Sequence, residues 1–191
     1  CLLSHLNSKR LAGQDSLKAN LIGHDHGRCK IRKLVWISTV ENNNEIRLMA
    51  HLVAGFPKSG DDFEVAIGMA DAGAEFIEIQ FPYSDPAADG PVIQEACSRA
   101  LSNGFTVADG FDLVARVTRE FAAKKSKVNR PSCRVFVMSY AGLVFARGID
   151  RFVVDAANAG VAGLIVPDLM RGYDENIFEI AKDHGIAVVP V

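Results

Sequence analysis

Three times this chain repeats one short phrase. DAG-AEFIEIQ at 71–80, NAG-VAGLIVP at 158–167 and DHG-IAVVPV at 183–191 each carry a helix-like segment to a glycine and then pass at once into apolar strand. Glycine takes the left-handed conformation that closes a helix, so the chain turns directly into a sheet. Strands that are apolar almost throughout are covered on both faces, and such strands alternating with helices build a parallel sheet. The pattern predicts five strands, at about 48–54, 75–80, 134–139, 162–167 and 186–191. At least one helix separates each pair, with two between the second and third.

The breakers between these strands agree. RLMAHLVAG (47–55) ends on Gly55 and Pro57, and Ser59 stands as a cap before DDFEVAIGMADAG, where Phe63, Ala66, Ile67 and Ala70 fall at helical spacing. Pro91 suits the first turn of a helix whose face is Ile93, Ala96, Cys97, Ala100 and Leu101. Thr106 and Asp109 read as a capping box for a third helix with the face Phe111, Val114, Val117 and Phe121. KKSKVNRPS (124–132) reads as a solvated loop.

Two architectures accommodate this order. An open doubly wound sheet usually places a Gly-rich phosphate turn after its first strand, and here that turn is VAGFPKSG, without GxGxxG. The other is a (β/α)8 barrel, which needs about 250 residues. The regular pattern fills only residues 45–191, so a barrel would be incomplete here. Residues 1–44 read as an irregular N-terminal extension. They lack the long apolar core and small-residue cleavage site of a signal peptide.

Composition narrows the classes further. A net charge of −2 gives no electrostatic argument for nucleic acid or a membrane surface, and no apolar run reaches the roughly 18 residues of a spanning helix. Cys1, Cys29, Cys97 and Cys133 show no paired spacing and read as the reduced thiols of a cytosolic protein. His24, His26 and Cys29 in HDHGRC have no fourth ligand at finger-like spacing, so the segment reads as polar chain and no metal is expected.

The chemistry concentrates in FIEIQFPYSDPAADGPVIQEA (76–96). Glu78 lies between two isoleucines, where a carboxylate is costly unless it is paired, protonated or used. Reacting groups of a barrel come from the carboxyl ends of its strands and the loops that follow. Glu78, Asp89, Tyr140 and Asp168 all fall there. Each also has a plainer reading. Glu78 would be a structural acid with a basic partner, Asp85 and Asp89 turn residues, Asp168 a cap, Tyr140 a wedge with a satisfied hydroxyl, and His51 a satisfied core histidine.

The run from Glu78 through Pro82, Ser84, Asp85 and Asp89 to Pro91, with VIQEA and Arg99 beyond it, resembles the signature of the tryptophan synthase alpha chain family. HLVAGFP (51–57), SYAGLVFARGID (139–150) and GLIVPDL (163–169) resemble the family's first, third and fourth strand–loop units in order. The resemblance implies a barrel that cleaves indole-3-glycerol phosphate to indole and glyceraldehyde 3-phosphate by a retro-aldol step. Glu78 would protonate the ring carbon, and Asp89 would hold the indole N–H. Tyr140, His51 and Asp168 would line the pocket. Pro82, Ser84, Asp85 and Gly142 would face a partner beta chain in an alpha2-beta2 complex. The alpha chain itself would need no cofactor or metal, with pyridoxal phosphate expected in the beta chain. The compartment implied is the cytoplasm, or a plastid stroma. The family usually has Gly at Gln80, Phe at Tyr83, Asn at Gly142, Pro at Met170 and an aromatic residue at His51. Its last three strands, with the loops that hold the substrate phosphate, have no counterpart here, so the expectation is a fragment inactive by itself. A non-catalytic remnant that binds a beta chain, a stand-alone lyase and a metal-dependent epimerase are the alternatives.

Overall fold

The computed structural model describes residues 47–125, 133–169, 172 and 175–189. The N-terminal segment to residue 44, HDHGRC, LVWIST (34–39) and most of KKSKVNRPS lie outside the described residues. Five strands form one parallel sheet: β1 (Met49–Val53), β2 (Phe76–Gln80), β3 (Arg134–Met138), β4 (Gly163–Ile165) and β5 (Ala187–Val189). Their order in the sheet is their order in the chain. A doubly wound sheet reverses direction at a switch point. Here the chain never reverses, as in one arc of a barrel, and that decides between the two architectures.

Among the described residues, six helices connect the strands. They are α1 (Asp61–Asp71), α2 (Pro91–Ser102), α3 (Val107–Lys125), α4 (Ala141–Arg147), α5 (Ile149–Asn158) and α6 (Ile177–Asp183). SYAGLVFARGID, read from sequence as a loop, is largely helical: α4 and α5 follow each other across Gly148, whose φ of 85° breaks the axis. The Arg147 guanidinium grips Asp155 across that break, with Nη2 to Oδ2 at 2.5 Å.

The repeated phrase has one geometry. Gly73, Gly160 and Gly185 all have positive φ, at 107°, 80° and 73°. In each case the glycine N–H and the next N–H bond back across the helix end. Gly73 reaches Ala70 O and Ala74 reaches Met69 O. Gly160 reaches Ala157 O and Val161 reaches Ala156 O. Gly185 reaches Lys182 O and Ile186 reaches Ala181 O. This 6→1, 5→2 pairing satisfies the last carbonyls and sends the chain into the sheet. The capping box is also present, with Asp109 Oδ2 accepting from Thr106 N and Asp109 N donating to Thr106 Oγ1. Ser59 is not the cap of α1. Gly60 holds that position, and the buried Asp62 carboxylate takes the N–H groups of Gly55, Gly60 and Phe63 instead. A carboxylate accepts several amides at once, and the Ser59 hydroxyl cannot match that.

Alternation along the strands divides the sheet. Leu52, Ile77, Ile79, Val135, Val137 and Leu164 point to the helices and form the main core. At its centre Phe81 meets Phe111 edge-on at 5.0 Å between centroids, and Phe152 lies against both rings. This packing demands a glycine at 110, where a Cβ would stand 2.7 Å from the Phe81 ring and 2.9 Å from Phe105. The surrounding rings keep Phe81 from yielding. We expect Gly110→Ala to lower the urea unfolding free energy by about 1–3 kcal/mol, despite a helix-propensity gain of about 1 kcal/mol. Unchanged or raised stability would show that the ring cluster is loosely packed.

Candidate active site

The opposite face of the sheet carries the polar residues. Glu78 and Gln80 alternate away from Ile77 and Ile79, so both point away from the main core, with Gln80 still buried against Cys97 of α2. Register sets His51 beside Glu78 on one side and Phe136 on the other. Glu78 is half-buried. Burial pushes its carboxyl above the ordinary range; the neighbouring His51 opposes that rise and the charge of Asp89 adds to it. No hydrogen bond is made to Glu78 among the described residues, so the structural reading of a buried acid with a basic partner finds only His51 nearby.

One step further along the strands, hydrogen bonds run sideways. His51 Nε2 meets Gln80 Oε1 at 2.8 Å. Gln80 Nε2 donates to Asp89 Oδ2 at 2.7 Å and reaches the buried Cys97 Sγ at 3.6 Å. Tyr140 Oη donates to the same Asp89 oxygen at 2.8 Å and accepts from Ala88 N at 3.1 Å. Burial, and then the bond to Asp89 and its charge, hold the Tyr140 hydroxyl well above the usual phenol range. Asp168 Oδ1 accepts from Ala141 N, the first amide of α4, at 2.8 Å. Asp168 therefore does cap a helix, but one that lies before it in the chain.

These bonds link His51, Asp89 and Tyr140 through Gln80 and tie Asp168 to the start of α4, while Glu78 joins them by strand register beside His51 and not by a hydrogen bond. Asp89 does sit in a turn, with its N–H bonded to Pro86 O, yet its carboxylate belongs to the network. His51 is half-buried and hydrogen-bonded rather than a core residue. Of the residues expected at a partner surface, Ser84, Asp85 and Gly142 are exposed, whereas Pro82 is buried beneath the loop. Tyr83 stacks on Tyr140 at 5.3 Å, and a Cβ on Gly142 would lie 2.5 Å from its hydroxyl. Gln80 is the residue that sequence reading missed as a member of the site. Its signal was the two-residue period, which places it on the face of Glu78. No group of three or more His, Cys, Asp or Glu side chains able to hold a metal occurs among the described residues, and none of their helices is long and apolar enough to cross a membrane.

Parallel strands in unbroken sequence, with acids gathered at their carboxyl ends, define a β/α-barrel type of protein. The family model "Tryptophan synthase alpha chain" matches residues 37–191. Named relatives include the tryptophan synthase alpha chain of Helicobacter hepaticus, 40% identical over 143 residues, covering 75% of this chain and 52% of that one. That of Leifsonia xyli is 46% identical over 123 residues, covering 64% and 43%. A ligand-free mutant tryptophan synthase from M. tuberculosis superposes with a TM-score of 0.69 at 30% identity, over 78% of this chain and 56% of that one. A mutant tryptophan synthase alpha-subunit from Pyrococcus furiosus gives 0.66 at 32%, over 75% and 55%. This chain belongs to the tryptophan synthase alpha chain family. It spans about half the length of the curated relatives it matches.

The raised proton affinity of Glu78 has a thermodynamic consequence. The folded chain binds this proton more tightly than the unfolded chain, whose glutamate titrates at about 4.3. The associated stability is full below that value and is lost as pH rises through the folded pKa. Glu78→Gln has no such titration. It should melt close to the parent below about pH 4 and above the parent at neutral pH. A difference in Tm that stays constant across that range contradicts the assignment. A second expectation concerns Tyr140→Phe, which strands the Ala88 N–H and removes a donor from Asp89. It should cost about 1–3 kcal/mol in denaturant unfolding, and no loss would show that water replaces the hydroxyl freely.

Proposed function

We propose that this chain carries the proton-transfer half of a tryptophan synthase alpha chain. The whole protein, on this reading, cleaves indole-3-glycerol phosphate to indole and glyceraldehyde 3-phosphate. Glu78 gives a proton to the indole ring carbon that bears the glycerol chain, which turns the ring into a leaving group. Positive charge then builds on the ring nitrogen, and the Asp89 carboxylate accepts the N–H and offsets that charge. The side-chain hydroxyl next to the breaking bond loses its proton to Glu78. The carbon–carbon bond breaks, its electrons return to the ring, and the hydroxyl carbon becomes the aldehyde. His51 and Tyr140 line the pocket, and Asp168 holds the loop after the third strand in place. The proposed reaction is that of a lyase.

One observation carries the reading: a carboxyl with raised proton affinity stands within electrostatic reach of a second carboxylate whose hydrogen bonds, among the described residues, fall on one oxygen. An acid and a fixed acceptor are what the two halves of the step require. A beta chain carrying pyridoxal phosphate is the proposed partner, met by the exposed Ser84, Asp85 and Gly142, and the cytoplasm or a plastid stroma is the compartment that goes with this pathway. The domain that carries the chemistry is 45–191, with 1–44 an extension to it.

Indole release from indole-3-glycerol phosphate tests the proposal. The assay compares the 191 residues alone with the same chain extended by the C-terminal half of the Helicobacter hepaticus relative. The extended chain is expected to be active and the 191 residues alone nearly inactive. In the extended chain, Glu78→Gln and Asp89→Asn should each lower kcat by about 10²–10⁴-fold. A Glu78→Gln protein with full turnover would end the assignment. Faster turnover on adding a purified beta chain supports the complex, and no change points to a stand-alone lyase.

A further inference from the structure

Gln80 is buried to 1% exposure and stands between two functional side chains. The direction of its amide is fixed by chemistry. The Asp89 carboxylate is an acceptor only, so the NH2 end must face Asp89 and the carbonyl end must face His51. Two statements follow. His51 has to donate from Nε2, since Gln80 Oε1 cannot. Asp89 Oδ2 is occupied by two donors, Gln80 and Tyr140, while Oδ1 accepts no hydrogen bond among the described residues.

We propose that Gln80 is a positioning residue: by accepting from His51 Nε2 and donating to Asp89 Oδ2, it holds His51 in one tautomer and turns Asp89 Oδ1 toward the N–H of an aromatic heterocyclic substrate. The role in turnover rests on the reaction proposed above. The bridge itself does not. Gln80 touches no reacting atom, and it acts through Asp89 and His51. Its third contact, the Cys97 thiol of α2, helps keep the amide from rotating. Burial pushes that thiol's pKa up, so it stays neutral beside the carboxylate.

The test begins with ¹⁵N NMR of histidine-labelled chain, read at about pH 8, where a free imidazole is neutral. The unmodified 191-residue chain should show His51 as the Nε2–H tautomer. Gln80→Met fills the same space without hydrogen bonds and should lose that preference. Gln80→Glu keeps an acceptor for His51 and should retain it. In the extended active chain, Gln80→Met should lower kcat about tenfold, the factor that one charge-assisted hydrogen bond sets, with KM little changed. An Nδ1–H tautomer in the unmodified chain overturns the bridge, and this measurement needs no variant to fold. So does a tautomer indifferent to Gln80→Met. An unchanged kcat beside a lost tautomer preference overturns the positioning role. If the extended parent releases no indole, the reaction fails and the positioning role fails with it, while the tautomer still decides the bridge.

Discussion

The hydrogen bond from Tyr140 Oη to Asp89 Oδ2 joins residues 51 positions apart, and the site depends on it. It ties the loop after β2 to the end of β3. The Asp168 bond to Ala141 N ties the end of β3 to the loop after β4, and Gln80 ties β2 to β1 through His51. Such a lateral chain is possible only because the strands are parallel and in sequential order. Every strand then releases its following loop on the same side, and neighbours in sequence are neighbours in space.

The same alternation that builds the core exposes the chemistry. Ile77, Ile79 and Phe81 are fully buried against the helices, and this fixes β2 in register. A one-residue slip would turn Glu78 and Gln80 into the main apolar core and Ile77 and Ile79 out of it, so the hydrophobic face specifies where the acid points. Phe81 has a double part. It closes the aromatic cluster with Phe111 and Phe152, and it is the residue at which β2 gives way to the loop bearing Asp89. The loop itself is anchored by the buried Pro82 and the Ala88–Tyr140 bond.

Much of this was legible from residue order, because local physics decided it. Gly73, Gly160 and Gly185 close helices by a mechanism contained within a few residues, and Thr106 with Asp109 caps α3 in the same local way. Glu78 and Asp89 were legible as costly acids at strand ends. What was not legible depends on residues far apart in the chain. Asp62 displaces Ser59 because Gly55, seven positions earlier, returns close enough to donate to it. Asp168 caps α4, 27 residues before it, and no spacing rule looks backward over that distance. The strand period puts Gln80 on the face of Glu78, but its place as a bridge showed only with His51 on β1 and Asp89 in the following loop on either side of one amide.

The two acids differ in what surrounds them, and that difference gives the site its polarity. Asp89 collects two donors on one oxygen, whereas Glu78 receives none among the described residues and is half-buried. A carboxyl without donors, withdrawn from water, keeps its proton at higher pH. His51 limits that tendency from the adjacent strand. Without His51, burial and Asp89 would act together, and Glu78 would hold its proton still more tightly. Burial and His51 thus act in opposite directions on one carboxyl, and the balance between them, rather than either alone, sets how tightly Glu78 holds its proton.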